Sequence, residues 1–296
     1  ILCGAAISAL VFASQAQAVT TADVVVLIDE SGSMSGEQAW VPGMISSLDS
    51  SLIGAGVTGN RFGLVGFGGP AHGATARYDP HKHLFSGGDW SSSGDFGSPD
   101  ISLATSGGIE DGLQAIAYAL GAYSFRGAAA VNFVLIADEA RISNSTNDRT
   151  GGTVTPGTLL PQLKSLNILL NNINNYSYNG NSALGHDSDG NAYFADGVGG
   201  YTTGAASGAP LSGSSRFEYH DLALGTGGAS WDLSYLRSGG LNADSFTAAF
   251  VDIKVGEILE QEPTDDPNRV PDTGSTVLLF VSGLAGIGFL RRRLAA

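Results

Sequence analysis

Residues Asp23 to Ser33 read DVVVLIDESGS. Asp23–Ile28 is a continuous apolar, β-branched run, the pattern of a strand buried on both faces. Such a strand belongs in a sheet that helices cover on both sides. It ends in an acid, and Asp29-x-Ser31-x-Ser33 places a carboxylate and two hydroxyls two residues apart, where they can converge as hard oxygen ligands for Mg²⁺ or a similar ion. In an open α/β sheet, ligands bind beyond the carboxyl ends of the strands, where this loop would lie. Taken alone, the triplet is also what a turn leading into a helix N-cap requires.

The neighbouring sequence repeats the alternation of strand and helix. A helical pattern over Gly36–Gly56 brings Met44, Ile45, Leu48 and Leu52 together. Arg61–Phe67 is a second strand and His81–Phe85 a short edge strand. Glu110–Tyr123 is helical by period, with Leu113, Ile116, Ala117 and Leu120 on one face. Val131–Ala137 is another buried strand, ending in Asp138-Glu139. A short helix over Leu159–Leu166 precedes a weaker strand, Asn167–Ile173. Asp244 is expected to cap a last helix that carries Phe246, Phe250 and Ile253 on one face. The fold class is therefore α/β: a Rossmann-like, doubly wound, mostly parallel sheet with helices on both faces. The Asn/Gly/Ser/Thr-rich residues 143–215 are read as an insertion of loops and hairpins.

Composition narrows the function. The 296 residues carry 14 Lys+Arg against 28 Asp+Glu, a net charge of −14. With lysine only at 82, 164 and 254, no basic patch is available, and nucleic acid is excluded as a partner. The single Cys3 rules out a thiolate metal site, a catalytic cysteine and a disulfide framework.

Both ends read as addresses. Residues 1–18 form an apolar, uncharged run closing on Ala16-Gln17-Ala18, a secretory signal peptide with its cleavage pattern. The domain then spans 19–256, and an acidic, Pro-containing linker spans 257–269. Residues 270–296 comprise Val270-Pro271-Asp272-Thr273-Gly274, a 14-residue apolar segment 277–290 and Arg291–Arg293. That segment is shorter than the roughly 20 residues of an ordinary membrane-spanning helix. The three parts in this order resemble a PEP-CTERM-type sorting tail in its Val-Pro-Asp variant. The resemblance implies processing by an exosortase, membrane attachment through the tail before processing, and a protein body outside the cytoplasm.

Two strands that each deliver an acid, Asp29 and Asp138, to the same sheet edge build a negative cluster that is costly without a cation. Here the chain resembles the von Willebrand factor A-type domain with its metal-ion-dependent adhesion site. Asp29, Ser31 and Ser33 match its first motif, and Asp138 its late-strand acid. The middle ligand, five residues before an Ala on the following helix, falls at Glu110 when counted back from Ala115. The family's common Thr is replaced here, as in integrin β-subunits, and Thr105 is the rival position. The resemblance implies a divalent cation (Mg²⁺, with Mn²⁺ or Ca²⁺ as alternatives) held by Asp29, Ser31, Ser33, Glu110 and Asp138. It also implies non-catalytic binding of a protein partner that offers a carboxylate. A structural component associated with an exopolysaccharide matrix is the alternative, and a hydrolase using His186 or His220 a more remote one.

Weaker patterns have plainer readings. His186–Asn191 spaces its acids like a small Ca²⁺ loop but also suits a Gly-Asn turn. Glu37 is a possible auxiliary ligand or an ordinary first-turn helix acid. His81-Lys82-His83 is expected to be a solvated edge. Trp231 and Tyr235 are expected to pack from a helix.

Overall fold

The computed structural model describes residues 19–70, 78–108, 110–139, 154–175, 182–207 and 216–261. The leader 1–18, the linker from 262 onward, the tail 270–296 and parts of the 143–215 segment lie outside the described residues.

Among the described residues, nine strands form one sheet: β1 (Ala22–Asp29), β2 (Arg61–Phe67), β3 (His81–His83), β4 (Ala130–Ile136), β5 (Ile168–Asn174), β6 (Gly185–Asp187), β7 (Asn191–Ala195), β8 (Tyr201–Ala205) and β9 (Ala229–Asp232). Their order is β3-β2-β1-β4-β5-β9-β6-β7-β8. β2, β1, β4, β5 and β9 run parallel, with Val26 opposite Leu64 on one side and Val134 on the other. β3 and the β6–β8 hairpins attach antiparallel. The sheet is thus mixed, and the expected mostly parallel sheet describes only its centre. For β6–β8 the 143–215 segment supplies the reason: its hairpins turn over in three and five residues (188–190 and 196–200), too short for a crossover, so their strands are antiparallel neighbours.

Six α-helices among the described residues cover the sheet: α1 (Ser35–Gly54), α2 (Gly112–Ala122), α3 (Pro156–Ser165), α4 (Asp221–Thr226), α5 (Leu233–Ser238) and α6 (Gly240–Glu260). Successive strand residues point to opposite faces, and the core divides accordingly. Val24, Val26 and Ile28 pack with Met44, Leu48 and Leu52 of α1 and Phe246 and Phe250 of α6. Val25 and Leu27 pack with Leu113 and Ile116 of α2, Leu163 of α3 and Leu222 of α4.

Several expectations need local correction. Asp244 lies inside α6, whose N-cap is Gly239 with a positive φ of 69°. Trp231 lies on β9, not on a helix, fully buried and stacked on Tyr193 at 5.5 Å. The domain also extends past 256. Glu257 accepts hydrogen bonds from Asn171 and Lys254, and Gln261 bonds Asn132 and the Val131 carbonyl. The Asn-rich β5 reads weakly as a strand yet lies inside the sheet. Its buried amides find partners: Asn171 also receives Trp231 Nε1 (3.0 Å), and Asn172 donates to Ser230 Oγ (3.0 Å).

Among the described residues, no helix is long and apolar enough to cross a membrane.

Candidate metal centre

The carboxyl ends of β1 and β4, at the centre of the sheet, carry the site. Asp29 ends β1 with no exposed surface, and Asp138 follows β4 two residues after its end. Glu110 does not open the next helix as expected. Asp111 caps α2 by accepting from the Gln114 N–H (3.2 Å), so the helix begins at Gly112 and Glu110 stays in the preceding turn. There it is buried and meets the two aspartates: one oxygen from each of Asp29, Glu110 and Asp138 lies within 4.8 Å of the others. Thr105, the rival position, is exposed.

The two serines sit alongside. The Ser31 N–H donates to Asp29 Oδ1 (2.7 Å), and the Ser31 and Ser33 hydroxyls are 3.1 Å apart. Ser31 is buried and Ser33 exposed, so the site opens toward solvent on the Ser33 side. Ser31 also pairs in parallel with Gly107. Only glycine fits at 107, because a Cβ there would overlap the Gly68 carbonyl; the close approach seats the loop that leads to Glu110.

Three carboxylates in one dry place repel one another. Burial first, and then the neighbouring negative charges, push the carboxyls of Asp29 and Glu110 above the usual carboxylate range. Asp29 Oδ2, Glu110 Oε2 and Asp138 Oδ1 are buried with no hydrogen-bond partner. Hard oxygen donors left in this state suit a divalent cation.

Arg237, which the sequence reading did not single out, lies at the edge of this cluster. Its Nη2 donates to Asp138 Oδ2 (2.8 Å) and its Nε to Glu37 Oε1 (2.5 Å). Glu37 is therefore a first-turn acid of α1 held by an arginine. No local pattern marks Arg237, because its partners are 99 and 200 residues away in the chain.

The remaining candidates fall elsewhere. Asp187 accepts from the Asp189 and Asn191 N–H groups, Asn191 Nδ2 and the Tyr193 hydroxyl, which makes 187–191 a hydrogen-bonded hairpin turn between β6 and β7. His186 and His220 approach to 6.5 Å between ring centres, and His220 Nδ1 lies 2.8 Å from Asp221. His81 and His83 are not a solvated edge. Both are buried and face Glu30.

Residues 269–294 match the VPDSG-CTERM motif. The protein is exported and sorted to the cell surface through this tail, which implies processing by an exosortase and membrane anchoring before that step. No curated protein matches the chain. Among solved structures it is similar to an aerotolerance-related membrane protein from Bacteroides fragilis, at 14% identity over 80% of this chain and 99% of that one, TM-score 0.42. It is also similar to proximal thread matrix protein 1 from the mussel byssus, at 15% identity over 53% of this chain, TM-score 0.36. The chain spans only about 38% of that mussel protein.

Proposed function

We propose that the domain is a von Willebrand factor A-type, metal-dependent binding module displayed outside the cell, with no catalytic role. The observation that carries this reading is the convergence of Asp29, Glu110 and Asp138 at the carboxyl ends of the central strands, with a buried, unbonded oxygen on each. Together with the Ser31 and Ser33 hydroxyls they form an all-oxygen donor set suited to Mg²⁺. A dication held there would neutralise the cluster and offer a position to a carboxylate from a partner protein. The chain's own residues do the rest. Asp29 orients the Ser31 backbone, the Ser31–Gly107 pairing seats the loop before Glu110, and Arg237 restrains Asp138 from the side.

The test is capture of envelope or extracellular proteins by the purified full chain, with Mg²⁺ or with excess EDTA. A specific protein should be retained with Mg²⁺ and lost both with EDTA and in Asp29→Ala, while circular dichroism stays unchanged. Equal capture in EDTA overturns the proposal.

A further inference from the structure

A second cluster lies beside the first and differs from it chemically. Glu30, the residue after Asp29, directs its carboxylate toward the two histidines of edge strand β3. His81 Nε2 is 3.1 Å from Glu30 Oε2, and His83 Nε2 is 3.2 Å from Glu30 Oε1. All three side chains are buried, and one donor atom from each lies within 4.8 Å of the other two. We propose that Glu30, His81 and His83 form a second, structural metal site that takes a Zn²⁺-class transition-metal ion.

The donor chemistry separates this site from its neighbour. Two imidazoles and one carboxylate favour zinc-like metals, whereas Mg²⁺ and Ca²⁺ prefer all-oxygen sets. Tetrahedral ligands about 2.0–2.1 Å from zinc lie roughly 3.3 Å apart; each histidine stands near that distance from Glu30, but from a different carboxylate oxygen, so the carboxylate would grip the ion with both.

The orientation of the rings points the same way. His81 Nδ1 is 2.9 Å from the Asp79 carbonyl, and His83 Nδ1 is 2.8 Å from the Ile101 carbonyl. A carbonyl only accepts, so each Nδ1 carries the hydrogen and each Nε2 faces Glu30. A backbone partner on the far ring nitrogen is the usual support of a metal-binding histidine. The two rings stand 5.0 Å apart between centres with Glu30 between their Nε2 atoms, an arrangement in which one metal ion could take all three donor atoms.

The surroundings are shaped around this cluster. The Ala104 N–H donates to Glu30 Oε1 (2.7 Å), and a Cβ at Gly66 would collide with the Glu30 carboxylate and lie 2.7 Å from His83 Nε2. Gln38 donates to both the Ala104 and the Asp29 carbonyls (2.7 and 3.2 Å), so an ion here would brace the loop beside the end of β1. Burial of the three residues assigns it a structural role, with the second Glu30 oxygen or a water completing the four-fold shell.

The experiment is titration of the metal-free full chain with Zn²⁺ and with Co²⁺ in the presence of excess Mg²⁺. One equivalent of Zn²⁺ should bind, Co²⁺ should produce the visible absorption of a tetrahedral nitrogen/oxygen site, and Zn²⁺ should move the ring signals of two of the five histidines in NMR spectra. His81→Ala and His83→Ala should each weaken Zn²⁺ binding by at least about 100-fold, whereas Asp29→Ala should leave it intact. Should the histidine variants fail to fold, the cobalt and NMR signatures of the unaltered chain decide. No saturable Zn²⁺ binding, unchanged affinity in folded histidine variants, or zinc that shifts other histidines each overturns the proposal. Loss of partner capture in Asp29→Ala with zinc retained separates this site from the Mg²⁺ reading.

Discussion

Arg237 shows how one side chain sets the charge balance of the candidate site. It reaches Glu37 and Asp138 at once, and both acids are nearly buried. Arg237→Met should therefore cost about 1–3 kcal/mol, read as a lower urea midpoint, and added Mg²⁺ should recover part of the loss. Asp29 works in the opposite sense. Its carboxyl and that of Glu110 are raised by burial and by neighbouring charge, so in the metal-free protein the folded state holds protons that the unfolded state releases. That contribution is complete at low pH and disappears as pH rises through the raised folded values. Asp29→Asn should melt higher than the unaltered protein in EDTA at neutral pH, and should lose the thermal shift produced by Mg²⁺. His186 provides an independent pH window. Burial, and then the His220 ring, hold it at about 4 against an ordinary 6.5, with Asp187 opposing and Asp221 on His220. Between those values the unfolded chain takes a proton that the folded one refuses, so stability falls as pH drops from about 6.5 to about 4. His186→Gln should flatten that slope in a series of thermal melts.

At the scale of elements, the parallel centre was legible strand by strand, and the antiparallel flank only as an edge strand and a hairpin-bearing insertion, without strand bounds or place in the sheet. Asp23–Ile28, Arg61–Phe67 and Val131–Ala137 read as strands because buried parallel strands are continuous apolar runs, and β1, β2 and β4 lie there almost residue for residue. β5 reads poorly because three asparagines occupy it, and their suitability depends on Glu257, Trp231 and Ser230, which arrive from distant segments. The local pattern places Trp231 on a helix for the same reason. Its place on β9 follows from contacts with Tyr193, Phe246 and Phe250, not from local propensity. Trp231→Ala should cost about 3–5 kcal/mol and speed amide hydrogen exchange in β6 and β7 more than in β1.

For the whole molecule, charge and address belong together. If cleavage follows Gly274 and the leader is removed, three arginines leave with the tail; 14 − 3 gives 11 basic residues against 28 acids, a net of −17. Removing residues 270–296 should shift the protein from the cell-surface fraction to the medium, measured by fractionation and immunoblotting. The sequence by itself determined the tail, the acidic charge balance, the strand–helix alternation and the acids at the ends of β1 and β4. These are carried by contiguous residues, and periodicity, charge and motif order act locally. Tertiary structure set Glu110, the position expected from its spacing to Ala115, beside the aspartates and left Thr105 exposed; it alone decided that Arg237 holds Asp138 and that His81 and His83 turn inward onto Glu30. Each depends on side chains far apart in the chain that meet only when the sheet assembles, and their energies come from burial and pairing, which no local pattern records.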